Sequence, residues 1–180
     1  WAKLQIKECE MNLKRDNIYG LLFHDVGALM SLNGLKSYEE IYKLKINKTV
    51  KKIGISIYNP LDLEILSKKI EFDIVQVPFN IFDTRLLETG WLHRLNKKGI
   101  EIHIRSIFLQ GMLLKNFNEL PDNFKNFKNQ WNQWNNWLNS NNISALEACL
   151  NFVLSFNEID KIILGVDSQK NLAEIVNLVN

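Results

Sequence analysis

Five short runs of β-branched and aromatic residues punctuate the chain: Tyr19–His24 (YGLLFH), Lys52–Ile57 (KIGISI), Asp73–Pro78 (DIVQVP), Ile100–Ser106 (IEIHIRS) and Lys161–Gly165 (KIILG). Each has the length and composition of a strand. Between them, apolar residues recur at intervals of three and four in Ser37–Leu44, Leu61–Ile70, Leu86–Leu95, Ser144–Phe156 and Ser168–Leu178, which is the spacing of a helix with one buried face. Strand alternating with helix is the βαβ pattern of an α/β protein, a parallel sheet covered by helices. Boundary residues agree. Asn59-Pro60 reads as a cap followed by a first-turn proline, Ser144 with Glu147 as a capping box, Asp167-Ser168 as the cap of the last helix, and Lys97-Lys98-Gly99 as a helix end.

Residues 116–142 break this rhythm. Phe117, Phe124, Phe127, Trp131, Trp134 and Trp137 stand among asparagines and lysines, spaced by three or four from Phe124 onward. The segment reads as an aromatic-rich insertion helix after the fourth strand. Its stripe is expected to be the buried face of that helix, with a lid over the strand ends as the alternative. The lid fails if the tryptophans pack against the outer helices.

Composition narrows the class. With 180 residues, 46% of them hydrophobic, a single globular domain over residues 1–180 with a core of its own is expected. Cys9 and Cys149 have neither disulfide-framework nor C-x-x-C spacing, which suits a reducing, cytoplasmic setting. A net charge of +2 gives nucleic acid no preference as a partner. No apolar run approaches the ~20 residues of a membrane span, and no signal-peptide pattern opens the chain. His24, His93 and His103 are too dispersed for a zinc site, so no metal is expected. Neither G-x-G-x-x-G nor a P-loop is present.

In parallel α/β folds the binding face lies at the carboxyl ends of the strands. Here those ends are polar: His24-Asp25, Ser56, Gln76 leading to Asn80, Arg105-Ser106 with Gln110-Gly111 beyond, and Gly165 opening into Asp167-Ser168. Each residue has an ordinary structural use, such as His24 or Ser168 capping a helix, or Arg105 pairing with Glu101 or Asp83. Five strand ends of one character on one rim point to a site.

The succession LLFHD, KKIGISIYNPLDLEIL, FDIVQVPFNIFDTRLLETGWLHRLNKKGIEIHIRSIFLQGMLL and IDKIILGVDSQKNLAEI resembles the later part of an aldo-keto reductase. The likeness is strongest to the bacterial branch found beside surface-polysaccharide genes. It implies a partial TIM (β/α)8 barrel, strands four to eight, with the three N-terminal βα units missing and expected upstream of Trp1. It also implies NADP(H) bound without a Rossmann motif, NAD(H) not being excluded, and a small-molecule carbonyl substrate.

By the same resemblance His24 matches the histidine that orients the carbonyl, and Ser56 and Gln76 hold the nicotinamide carboxamide. Arg105 and Ser106 face the nicotinamide ring and pyrophosphate, Leu109, Gln110 and Gly111 continue the pyrophosphate loop, and Gly165, Ser168 and Asn171 wrap the adenosine phosphate. The family's catalytic tyrosine, lysine and aspartate belong to its first three strands and have no match here, so the chain alone is expected to be inactive. Tyr58 near the rim is the only substitute acid in view. Ile57, Arg105 and Asn171 depart from the family's usual asparagine, stacking aromatic and 2′-phosphate arginine. A barrel arc leaves open sheet edges, so self-association through them is expected. Two alternatives stand beside this reading: a non-catalytic half-barrel that binds a nucleotide or a protein partner, and a five-stranded doubly wound domain of flavodoxin type.

Overall fold

The structure is a computed structural model that describes residues 2–15 and 17–179. Five strands form one sheet in the order β1-β2-β3-β4-β5: β1 (Ile18–Phe23), β2 (Val50–Ser56), β3 (Ile74–Pro78), β4 (Glu101–Arg105) and β5 (Lys161–Ile163). Spatial order equals chain order, so each strand is added beside the one before it. The chain divides into two compact units, residues 1–77 with 85–103 and residues 78–84 with 104–180.

The first unit holds α1 (Ala2–Leu13), β1, α2 (Val26–Leu29), α3 (Leu32–Ile46), β2, α4 (Leu63–Leu66), most of β3, α5 (Arg85–Glu88), α6 (Trp91–Lys97) and the start of β4. β1 and β2 run parallel in a register that pairs Ile18 with Val50 and Phe23 with Ile55. β2 and β3 continue it, pairing Gly54 with Ile74 and Ser56 with Gln76. Because side chains alternate along a strand, Ile53 and Ile55 share one face of β2 and Lys52 and Ser56 the other. The isoleucine face is buried to 0% exposure, together with Leu63, Leu95 and Ile102, and Leu66 and Leu92 to 1%. Burying one such side chain contributes roughly 1.5–3 kcal/mol.

Helix caps follow the sequence pattern. Asp25 Oδ1 accepts from the Ala28 amide at 2.8 Å, Ser31 Oγ from Gly34 at 3.0 Å and Asn59 Oδ1 from Leu61 at 3.1 Å. Two expected helices differ from expectation. The Leu61–Ile70 segment forms a 3₁₀ turn at Pro60–Asp62 and only one turn of helix, α4. Leu86–Leu95 is broken at Gly90, whose φ of 73° no helix interior adopts, into α5 and α6.

The second unit contains the end of β4, α7 (Lys128–Asn141), α8 (Ala145–Leu154), β5 and α9 (Gln169–Val179). Residues 116–142 are not one helix: 3₁₀ turns at Phe117–Glu119 and Asp122–Phe127 lead into α7. Proline at 121 and the polar run around it prevent an earlier start. Trp131 and Trp134 are buried with Leu113, Ala148 and Cys149, and their indole N–H groups donate to the carbonyls of Lys115 and Leu113. Both therefore pack against α8 and the neighbouring 3₁₀ turn. Trp137 stacks on Trp134 at 5.7 Å and is half exposed. Among the described residues, no helix is long and apolar enough to cross a membrane.

Candidate functional site

In the first unit the register brings the carboxyl ends of β1, β2 and β3 level. Phe23 pairs with Ile55 and Ser56 with Gln76, so His24 stands beside Ser56 at the rim. Ser56 is buried, and its hydroxyl donates to the Gln76 side-chain oxygen at 3.4 Å. The Ile57 amide donates to the Gln76 carbonyl at 2.9 Å and carries the ladder one residue past β2. His24 is exposed, and its ring meets that of Tyr58 edge-on at 6.0 Å. Asp25, its neighbour, is committed to the cap of α2.

At the opposite, amino-terminal end of the strands lies a denser cluster. Glu101 accepts from Lys52 Nζ at 2.5 Å, pairs with His103 Nε2 at 3.0 Å and also accepts from the Tyr19 hydroxyl. Burial pushes the Glu101 carboxyl up, but the hydrogen bonds from Lys52, Tyr19 and His103 outweigh it and hold the group at about 2. The same bond raises Lys52 above the ordinary lysine value. A carboxylate this fully satisfied, at the end of the strands away from the rim, braces β1, β2 and β4.

The second unit carries a cleft of about 580 Å³, within the size range of small-molecule sites. Its floor is the turn after β4. Ser106, Leu109, Gln110 and Gly111 all have left-handed backbone, with φ of 60°, 48°, 54° and 81°. Leu109 N–H closes the turn onto the Ser106 carbonyl at 2.9 Å. Successive left-handed residues form the kind of turn that can present backbone amides to an anion. Asn80 fixes the turn from behind: buried to 1% exposure, it accepts from the Phe82 and Asp83 amides at 2.9 Å and donates to the Ser106 carbonyl at 3.0 Å.

The cleft walls are the start of α8 at Ser144–Leu146, the end of β5 through Gly165, and the face of α9 bearing Asn171, Glu174 and Ile175. Ser106, Gln110, Gly111, Gly165 and Asn171 thus share one cleft. Leu109 shapes the turn, and Arg105 sits just behind it with Nη1 3.4 Å from the Ser106 hydroxyl. Ser168 caps α9, its hydroxyl accepting from the Asn171 amide at 3.1 Å. His24, Ser56 and Gln76 belong to the first unit. Sequence reading passed over Glu174 and the anchoring role of Asn80. Glu174 lies three residues after Asn171 on the same helix face, a spacing that could have found it. Among the described residues no group of three or more His, Cys, Asp and Glu is arranged to hold a metal.

Cβ atoms added at Gly111 and Gly165 would meet nothing within 4 Å, so both glycines border open space, which a dinucleotide of the kind the resemblance implies would need.

A sequence model of the Aldo/keto reductase family matches residues 2–180. Among solved structures, the apo form of an aldo-keto reductase from Bacillus halodurans aligns with a TM-score of 0.77 and 20% identity, over 98% of this chain and 61% of that one. Its holo form aligns with a TM-score of 0.73 and 19% identity, over 98% and 60%. A glycerol dehydrogenase from Gluconobacter oxydans aligns with a TM-score of 0.66 and 14% identity, over 99% and 63%. These likenesses show the fold, an α/β partial barrel of parallel strands with surrounding helices. The chain spans about three fifths of the length of each of these structures. No curated protein matches the sequence.

Proposed function

Because this chain belongs to the aldo/keto reductase family, we propose that it is the strand-four-to-eight part of an NAD(P)H-dependent reductase of small carbonyl compounds. The observation that carries this reading is the cleft of the second unit, where five positions assigned by resemblance to the cofactor line one concavity. The turn at Ser106–Gly111 would hold the pyrophosphate through backbone amides, with Arg105 behind it. Gly165, Ser168 and Asn171 would enclose the adenosine end. Ser56 and Gln76 would grip the nicotinamide carboxamide, and His24 would donate a hydrogen bond that orients the carbonyl. A bound NAD(P)H would supply the hydride.

In this reading the proton donor comes from outside these strands. Loss of general-acid action forfeits about 10²–10⁴ in rate, so the chain by itself turns over poorly. β1 ends the strand order, and its outer edge offers backbone groups to a second copy or to further strands. A cytoplasmic setting suits the exposed thiol of Cys9.

Titration of NADH and NADPH against the chain, followed by calorimetry, tests the assignment. Saturable binding that weakens about tenfold on Asn171→Ala or Gln76→Ala is expected, each removing roughly one hydrogen-bonding group. A second reading, a half-barrel without catalysis, draws on the Ser56–Gln76 hydrogen bond, which turns the two polar side chains towards each other. Absence of dinucleotide binding with a discrete oligomer in sedimentation would favour it.

A further inference from the structure

The strands of the first unit are entered from one side, so the loops leading into them share the amino-terminal face of the sheet. Ile18 pairs with Val50, and the Glu101 amide donates to the Asp73 carbonyl at 2.9 Å, which keeps neighbouring entries side by side. Helices α1, α3, α4 and α6 run towards that face. Helix C-termini favour cations, and lysine stands at each of these ends: Lys14 after α1, Lys48 after α3, Lys68 and Lys69 after α4, and Lys97 and Lys98 closing α6. All six are exposed, and among the described residues none has a carboxylate partner. The carboxylates nearest the strand starts are engaged by other groups: Asp73 pairs with Lys45, Glu101 with Lys52, and Glu71 accepts from the Tyr42 hydroxyl. Two aliphatic side chains share the face. Leu13 is the last residue of α1 and 63% exposed, and Ile46 the last of α3 and 65% exposed. Lys14 and Lys48, one and two residues further on, have left-handed backbone with φ of 51° and 58°, so a cation stands where the backbone alone would favour glycine.

Lysine is a hydrated point charge that attracts anions without demanding a fixed geometry. Six of them on one face, without neutralising carboxylates, suit a dense array of negative groups. The phosphates of a nucleic acid would engage the lysines and leave Leu13 and Ile46 in water. A phospholipid surface takes both kinds of group: anionic headgroups meet the lysines, and the boundary of the acyl chains receives the aliphatic tips. We propose that the amino-terminal face of the first unit docks on a membrane surface rich in anionic lipid, the lysines supplying the attraction and Leu13 and Ile46 a shallow insertion. Peripheral contact of this kind requires no spanning helix. It also leaves the carboxyl ends of the same strands, where His24 and Ser56 stand, turned away from the lipid.

The test is co-sedimentation of the chain with vesicles of phosphatidylcholine alone and of phosphatidylcholine containing about one third phosphatidylglycerol. Binding is expected to the second only, and to be lost as sodium chloride rises to about 0.5 M. Each lysine near an anionic surface strengthens binding roughly fivefold, so the Lys68→Gln/Lys69→Gln/Lys97→Gln/Lys98→Gln variant should bind at least about a hundredfold more weakly. Leu13→Ser/Ile46→Ser should cost about tenfold through lost apolar burial. Every exchanged side chain is exposed, so both variants should melt at the wild-type temperature. Failure to bind the phosphatidylglycerol vesicles, or equal binding to pure phosphatidylcholine, overturns the inference. So does vesicle binding that the lysine exchanges leave unchanged. Vesicle binding indifferent to Leu13→Ser/Ile46→Ser, with a DNA duplex held as tightly at the same salt, overturns lipid as the partner. None of these outcomes bears on the cofactor reading, which dinucleotide titration decides separately.

Discussion

The rings of His24 and Tyr58 meet edge to face, their centroids 6.0 Å apart and their planes 75° from parallel. His24 follows β1 and Tyr58 follows β2, so the parallel register of those strands creates the contact. An imidazole beside a phenol invites assignment as an orienting group and a proton donor. A donor of that kind works where water is excluded, and both His24 and Tyr58 are exposed.

Tyr58 is therefore expected not to act as the acid. Reduction of a panel of aldehydes by the chain with NADH or NADPH should stay near background, and Tyr58→Phe should leave it there. A measurable rate that drops about 10²-fold or more in that variant would make Tyr58 the donor.

The brace at Glu101 makes stability depend on acid. Its folded value of about 2 lies below the ordinary 4.5, so the stabilisation is complete above the unfolded value and disappears as pH falls towards the folded one. At neutral pH the group should contribute on the order of 1–3 kcal/mol, allowing for its partial exposure. Urea unfolding of the wild type and Glu101→Gln should differ by that amount at pH 7. The gap should close between about pH 4.5 and pH 2. A gap independent of pH would mean that packing, not ionisation, carries the effect.

Cys149 is buried in the α7–α8 cluster, and burial pushes its thiol up to about 12. Cys9 is exposed. The thiolate is the reactive form, so a disulfide reagent at pH 8 should modify one thiol per folded chain, at Cys9, and the second only after denaturation. Two fast thiols in the native chain would show that the cluster opens.

Legibility followed the range of the forces involved. The strands, the caps at Asn59, Ser144 and Ser168, and the buried stripe at Trp131 and Trp134 were readable because each depends on neighbours within a turn or two. The break at Gly90 was missed because glycine is tolerated within a helical pattern, and only the φ of 73° shows that the chain turns there. Asn80 was visible merely as a polar residue after β3. Its bond to the Ser106 carbonyl joins positions 26 residues apart.

The site divides in the same way. Polar strand ends, the glycines at 111 and 165 and the family likeness were carried by the sequence alone, because alternation and residue order do not depend on what lies across the fold. The packing of α8, β5 and α9 around the turn after β4 decided which of those residues share a cleft, and that Asp167 and Glu174 line it with them. Charge balance in a cleft is a sum over elements distant in sequence, so only the tertiary structure could determine it.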